Sequence, residues 1–149
     1  MWNSRGEVRL DPGTIDAGNS GAIVEIVIAY TESSVTPALL KRAAELTCGL
    51  NARVTLLAVH TVPYPASFAS ATASHAHLVG ELVDLAQESP IPVTPQVVMA
   101  RGREEGFRHI LKPESTVLVG TRKHLWQTAE ERLALSLARE GHKVALLHV

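Results

Sequence analysis

Short aliphatic runs alternate with amphipathic segments along most of the chain, and no other feature of the sequence constrains the fold as strongly. The clearest run spans residues 22–30, where β-branched residues stand on both sides of Glu25. A nearly continuous run of this kind predicts a strand that is covered on both faces. Four further runs predict strands at residues 53–60, 93–100, 115–120 and 143–149.

Segments with apolar residues three and four positions apart separate these strands and predict helices. They cover residues 36–50, 75–88, 104–111 and 128–141. Thr36 is the predicted cap of the first helix, and Pro37 suits its first turn. Thr128 and Glu131 stand at capping-box spacing at the start of the last helix. Strands alternating with helices predict an α/β fold, a doubly wound five-stranded parallel sheet with helices on both faces.

Two proline-containing stretches refine this plan. Residues 61–74 contain prolines and a run of small residues, which predicts a long connection without regular structure. Pro92 and Pro95 stand at the start of the third strand. Because proline cannot donate to a sheet ladder, we expect this strand near an edge of the sheet.

The amino end differs in composition from the rest of the chain. Its first 21 residues carry scattered charges, Pro12 and several glycines, so we predict a flexible tail over residues 1–21. One α/β domain is then expected over residues 22–149. No stretch reaches the roughly 18 apolar residues that a membrane helix needs, so we expect no membrane insertion.

Composition excludes several classes of protein. Fourteen Lys and Arg oppose fifteen Asp and Glu, so no net field favours nucleic acid as a partner. The single cysteine, Cys48, cannot form an internal disulfide, which favours a cytoplasmic location, and we expect it to be a small buried hydrophobe on the first helix. Aromatic residues make up only 4% of the chain, which leaves little for a nucleotide base to stack on.

The loops after the predicted strands are the expected place for a ligand site. In doubly wound sheets, ligands bind beyond the carboxyl ends of the strands, where the strand order reverses. These loops are rich in cations, glycines and hydroxyls, a combination that suits a small anionic ligand such as a phosphate. The candidate residues are Thr31, Arg101, Gly102, Arg103, Gly120, Thr121, Arg122 and Lys123. The alternative is that the basic side chains only solvate the loop ends.

Several short stretches, taken in order, resemble a known family. They are residues 26–34, residues 54–60, Gly102 after the third strand, and the run Val-Leu-Val-Gly-Thr-Arg at residues 117–122. Together they resemble a universal stress protein domain over nearly everything after the tail. The resemblance implies a Rossmann-like sheet of the adenine nucleotide alpha hydrolase type, homodimers paired through the last strand and, in one branch of the family, adenine-nucleotide binding.

The nucleotide-binding branch carries an Asp at the end of the first strand and a Gly-x-x-Gly-x9-Gly-Ser/Thr pattern after the fourth. Gly120 matches the first glycine, but Lys123, Leu133 and Ala134 stand at the remaining positions, and no Asp ends the first strand. Side chains at glycine positions fill the space where backbone amides approach phosphate. We therefore expect that ATP or AMP is not bound in the usual way, and no cofactor is predicted.

Metal binding and catalysis find little support in the pattern of residues. His75 and His77 are two positions apart, so on a helix their side chains point about 200° apart, and no third ligand follows at a fixed spacing. No metal site is therefore predicted. A nucleophile elbow, a Walker loop and a dinucleotide fingerprint do not occur in the sequence, so we predict no catalytic residues and no enzyme activity.

The last predicted strand favours an interaction. It is apolar and no helix follows to cover its edge, so we expect a homodimer with Val144, Leu146 and His148 at the interface. Together with the family resemblance, this favours a dimeric stress-response or regulatory binding module. Two alternatives stay open: a sensor for an adenine nucleotide or another phosphate ligand, and a transporter-associated regulatory domain.

Overall fold

The strands and helices follow each other in the predicted alternating order. The structure, a computed structural model, describes residues 23–122 and 128–149, so the predicted tail over residues 1–21 and Lys123 lie outside the described residues. The strands are β1 (Val24–Tyr30), β2 (Ala52–Thr61), β3 (Thr94–Ala100), β4 (Thr116–Thr121) and β5 (Lys143–His148). The helices in this part of the chain are α1 (Thr36–Leu46), α2 (Thr72–Gln87), α3 (Arg103–Ile110) and α4 (Ala129–Arg139).

All five strands form one parallel sheet in the order β3-β2-β1-β4-β5. The chain first moves outward from β1 through β2 to β3, then returns to the other side of β1 and continues through β4 to β5. The predicted α/β fold with a doubly wound parallel sheet is therefore confirmed. The strand order reverses between β1 and β4, so this is the point where a ligand crevice is expected.

Helices cover both faces of the sheet. On one face, α1 and α2 pack against alternate residues of β1 such as Ile26 and Ile28. On the other face, α3 and α4 pack against Ala29 of β1 and its neighbours. Because alternate side chains of a strand point to opposite faces, β1 contributes to two separate cores, which explains its nearly continuous aliphatic sequence.

The first helix differs from its prediction at both ends. Thr36 lies inside α1 and does not cap it; its hydroxyl donates to the carbonyl oxygen of Glu32 at 2.9 Å. The helix ends at Leu46, four residues earlier than predicted, and the turn that follows passes through Gly49 at a positive φ of 76°. Cys48 lies in that turn and is exposed, so the prediction of a buried cysteine on the helix was wrong.

The long connection after β2 is more regular than the sequence indicated. It contains a 3₁₀ turn (Phe68–Ala71), capped by the Ser67 hydroxyl, and α2 begins directly after it at Thr72. The run of small residues predicted as a loop thus forms the start of a helix. Serine and alanine are compatible with a helix start once a cap is present.

Two local predictions are confirmed. β3, which contains Pro95, is an edge strand of the sheet. The capping box at the start of α4 is formed: the Thr128 hydroxyl accepts from the Glu131 amide at 3.1 Å, and the Glu131 carboxylate accepts from the Thr128 amide at 3.2 Å. Among the described residues, no helix is both long and apolar enough to cross a membrane.

Candidate functional site

The candidate site lies between the carboxyl ends of β1 and β4, where the strand order reverses. On the β1 side, residues 31–35 connect the strand to α1. On the β4 side, Thr121 ends the strand and Arg122 follows it. After two neighbouring parallel strands, the chain turns towards opposite faces of the sheet, which opens a crevice between the two loops. The side chains in this crevice decide whether a ligand can bind there.

An ion pair joins the two sides of this crevice. The Arg122 guanidinium Nε donates to Glu32 Oε1 at 2.9 Å. The Ser34 hydroxyl donates to the same carboxylate oxygen. The side chains of Arg122 and Glu32 are 54% and 45% exposed, so the pair lies at the mouth of the crevice and its net contribution to stability is about 1 kcal/mol or less. The pair matters more for ligand binding, because Arg122, a cation predicted to attract a phosphate, already binds the carboxylate of Glu32.

The start of α4 is also occupied by protein groups. Thr121 is fully buried, and its hydroxyl lies 2.7 Å from the hydroxyl of Thr128. Thr128 and Glu131 in turn form the capping box of α4. A free helix N-terminus binds anions through its unpaired amides. Here the Glu131 carboxylate and the Thr128 hydroxyl take up part of that capacity.

The two predicted glycines differ in their surroundings. A Cβ on Gly120 would lie 3.1 Å from the Leu39 side chain, so this glycine lets α1 approach β4 closely. Gly102 precedes α3 with an extended backbone, and a Cβ there would meet no atom within 4 Å. Packing within the protein therefore explains the glycine at position 120, and no contact of the described residues explains the one at position 102.

Arg101 holds the connection after β2. Its guanidinium lies 4.2 Å from the ring centroids of both Tyr64 and Phe68, between two aromatic rings. It also donates to the carbonyl oxygens of Val62, at 3.0 Å, and Ala66. This side chain therefore orders the segment before α2, and its donors point to that segment.

The predicted cations within the described residues, Arg101, Arg103 and Arg122, have separate partners. Arg103 pairs with Glu130 of α4 at 3.4 Å. Arg101 follows β3 and Arg122 follows β4, and these strands are three strand spacings, about 14 Å, apart. The structure therefore brings together Thr121, Arg122 and the loop containing Thr31, places Arg103 beside the first turn of α4, and leaves Arg101 with the connection after β2.

Thr31 is the predicted residue that most favours a ligand. Its hydroxyl oxygen is buried and has no hydrogen-bond partner among the residues that the structure describes. A buried hydroxyl without a partner costs roughly 1–3 kcal/mol, so a ligand atom that bonded to it would recover part of that energy. Thr31 directly follows β1 and therefore stands at the crevice.

A second polar cluster lies on the α2 side of the sheet. The Tyr30 hydroxyl, at the end of β1, donates to the Glu81 carboxylate of α2. Burial, the hydrogen bond to Glu81 and the negative charge of Glu81 raise the pKa of Tyr30 well above its usual value near 10. This phenol therefore stays neutral over the physiological range and positions α2 against β1.

Charged groups also lie near the other end of the strands. A cavity of about 410 Å³ is lined by residues at the amino ends of β1 and β2 and after α3. Its charges satisfy each other: Arg53 and Lys112 lie 3.0 and 3.5 Å from the two carboxylate oxygens of Glu25. This cavity lies at the amino ends of the strands, away from the place where doubly wound sheets bind ligands, so it is a weaker candidate than the crevice at the carboxyl ends.

Sequence reasoning missed Glu32, the acid that determines the electrostatics of the crevice. A signal was present, because Glu32 is the sole carboxylate between β1 and α1 in the sequence. The sequence did not show that Arg122 is its partner, because Arg122 lies 90 positions further along the chain. The pairing follows from the neighbouring positions of β1 and β4.

The predicted dimer residues lie on the outer strand β5. The amides of Lys143 and Val149 donate to Ser115 and Thr121 beside β4, each at 2.8 Å. Alternate residues of a strand direct their backbone groups to the same side, so the amides of residues 144, 146 and 148 face away from β4. Within the described part of the chain, no strand pairs with that edge. Val144 and Leu146 are half-buried under α4, and His148 is exposed.

Comparison with known proteins adds no family to these observations. No protein-family model matches the chain, and no curated protein matches it significantly. The fold is thus established by the sheet order and the two covered faces, and the resemblance to universal stress proteins stays a prediction.

Proposed function

We propose that this chain is a regulatory binding module of the universal stress protein kind, which acts as a homodimer and does not hold ATP in the usual way. The observation that carries the proposal is the ion pair between Arg122 and Glu32 at 2.9 Å. A phosphate would have to displace the Glu32 carboxylate from the cation it needs. It would also stand beside a like charge, which is unfavourable in a partly closed crevice.

Two further features support a module that does not bind nucleotides through a glycine-rich cradle. The capping box of Thr128 and Glu131 uses amides that a phosphate-binding helix start would offer. Gly120 is explained by its contact with Leu39. Both features follow from the packing of α1 and α4, so they do not depend on a ligand.

The homodimer is supported by the open edge of β5. Outward-facing amides and carbonyls on a half-apolar strand form a template for another strand. Two copies that pair edge to edge around a two-fold axis would satisfy these groups and extend the sheet from five to ten strands.

A phosphate-ligand sensor is the second candidate, and Thr31 favours it. The buried hydroxyl of Thr31 lacks a partner among the described residues, and Arg122 is exposed enough to change partner. In this alternative the ligand replaces Glu32 on Arg122 and bonds to Thr31. Ligand binding would then break the ion pair.

Thermal unfolding in the presence of ATP, AMP and cyclic nucleotides separates the two candidates. A ligand present at 100 times its dissociation constant adds about 2.7 kcal/mol of stability. The module predicts the same unfolding temperature with and without each nucleotide at millimolar concentration. A rise with one nucleotide, abolished by Thr31→Val and by Arg122→Gln, would establish the sensor.

A further inference from the structure

We propose that His60 and His75 form a binding site for a transition-metal ion that prefers imidazole ligands, such as Zn²⁺ or Cu²⁺. His60 is near the end of β2, and His75 is in the first turns of α2. Their ring centroids are 5.9 Å apart. The site is separate from the crevice between β1 and β4, and the inference does not depend on the proposed function.

The hydrogen bonds around Ser74 determine which nitrogen of His60 is available. The Ser74 hydroxyl donates its one proton to the carbonyl oxygen of Ala71 at 3.1 Å. The same oxygen lies 3.3 Å from His60 Nε2 and therefore accepts from an Nε2–H group. In the tautomer that donates from Nε2 to this oxygen, Nδ1 carries a free lone pair. Metal-ligating histidines are held in this way, with the second ring nitrogen donating to a fixed acceptor.

Both histidines present an unused nitrogen. The Nδ1 atoms of His60 and His75 are buried, and neither has a hydrogen-bond partner among the residues that the structure describes. Buried polar atoms without partners are uncommon because each costs desolvation energy that no bond returns. A metal ion that accepted both lone pairs would remove two such costs at once.

The separation of the rings fits a shared ion. A metal–nitrogen bond of about 2.0–2.1 Å places each imidazole centroid about 3.2 Å from the metal, so two ligands of one ion have centroids at most about 6.4 Å apart. The observed 5.9 Å lies within this limit, and the two ring planes are 29° apart. A structural role of simple ring stacking would not require both Nδ1 atoms to be without partners.

The composition of the site indicates the kind of ion. Imidazole suits Zn²⁺, Cu²⁺ and Ni²⁺, whereas Mg²⁺ and Ca²⁺ require oxygen ligands. Within residues 23–122 and 128–149, no group of three or more His, Cys, Asp or Glu side chains is arranged to hold a metal. The described residues therefore provide two ligands, and a bound ion would take its remaining ligands from water or from an external molecule. Such a site binds more weakly than a closed structural zinc site and leaves positions open for an external ligand.

Isothermal calorimetry with Zn²⁺ in a non-coordinating buffer tests the proposal. We expect one equivalent to bind to the full chain and the affinity to fall at least about tenfold in His60→Asn and in His75→Asn. Ser74→Ala should weaken binding about 10- to 100-fold, because it removes the group that orients His60. His77→Asn is the matched control: it lies on α2, is exposed, and should leave the affinity unchanged.

Electron paramagnetic resonance with Cu²⁺ gives an independent reading of the wild-type chain, should His60→Asn fail to fold. Hyperfine coupling to two nitrogens that is reduced to one in His75→Asn supports the site. The proposal is overturned if the wild-type chain binds neither ion, if His75→Asn binds Zn²⁺ as tightly as the wild type, or if His77→Asn loses binding to the same extent.

Discussion

The guanidinium of Arg122, directly after β4, lies 2.9 Å from a carboxylate oxygen of Glu32, two residues after β1. This contact crosses the one place in the sheet where the strand order reverses. In a doubly wound fold, that place is where ligands bind. A complementary pair of charges therefore stands at the mouth of the crevice where a doubly wound fold would bind a ligand, and the consequences can be tested residue by residue.

Two helical glycines should respond in opposite directions to alanine. A Cβ at Gly106 of α3 would lie 2.4 Å from a methyl carbon of Val59, so Gly106→Ala should destabilise the fold by about 1–3 kcal/mol through overpacking. A Cβ at Gly80 of α2 meets nothing within 4 Å, so Gly80→Ala should stabilise by about 0.5–1 kcal/mol. Urea unfolding measures both. Equal effects of the two substitutions would contradict the close approach of α3 to the sheet.

The phenol of Tyr30 should ionise only at strongly alkaline pH. Its pKa is raised above the unfolded value of about 10 by burial and by Glu81, so the folded state holds this proton more tightly than the unfolded state. The stability it contributes is complete below about pH 10 and is lost as the pH rises through the folded value.

Tyrosinate absorbance in a Tyr64→Phe variant checks this directly, because Tyr30 is then the sole tyrosine of the chain. Tyr30→Phe should be less stable than the wild type by about 1 kcal/mol at neutral pH and should close that gap at alkaline pH. Ionisation of Tyr30 near pH 10 in the folded protein would show that Glu81 does not hold it.

Arg101 should control the order of the connection between β2 and α2. Lysine cannot stack flat between the rings of Tyr64 and Phe68, so Arg101→Lys should loosen the segment of residues 62–71. We expect chymotrypsin to cleave after Phe68 several times faster than in the wild type; the bond after Tyr64 precedes Pro65 and resists this protease. Arg53→Lys, at the opposite end of the sheet, is the control, and equal cleavage rates in all three proteins would rule out the clamp.

The dimer should depend on the outward-facing backbone of β5. His148→Pro removes an amide that points away from β4 and keeps the ladder to β4 intact. Analytical ultracentrifugation should show a wild-type dimer at micromolar concentration and a dissociation constant raised at least about tenfold by this change. His148→Ala keeps the amide and should weaken the dimer far less than His148→Pro does. A wild-type monomer would refute pairing through β5.

The sequence predicted the fold well because its signals were local. The β-branched run of β1 and the capping box at Thr128 each depend on neighbours within a few residues, and Pro95 restricts β3 to an edge by its own chemistry. The end of α1 was misplaced because the leucine spacing continues past the point where Gly49 adopts a positive φ.

The candidate site was predicted only in part, because its chemistry depends on partners far apart in sequence. Its location followed from the alternation of strands and helices. The partner of each cation did not follow from that alternation. Arg101 contacts aromatic rings more than 30 positions earlier in the chain, and Arg122 binds Glu32. The pairing of His60 with His75 likewise exists only once α2 packs on β2.

Replacement of Glu32 tests the central claim that a carboxylate of the protein keeps phosphate out of the crevice. Calorimetric titration with ATP should be compared for the wild type, Glu32→Gln and Glu25→Gln. Glu25 is the matched control, because it is 44% exposed and pairs with Arg53 at 3.0 Å, at the other end of the same strand. The account predicts no measurable binding to the wild type or to Glu25→Gln at millimolar ATP, and at least about tenfold tighter binding to Glu32→Gln. Equal results for the wild type and Glu32→Gln, whether both proteins bind ATP or neither does, would contradict the account.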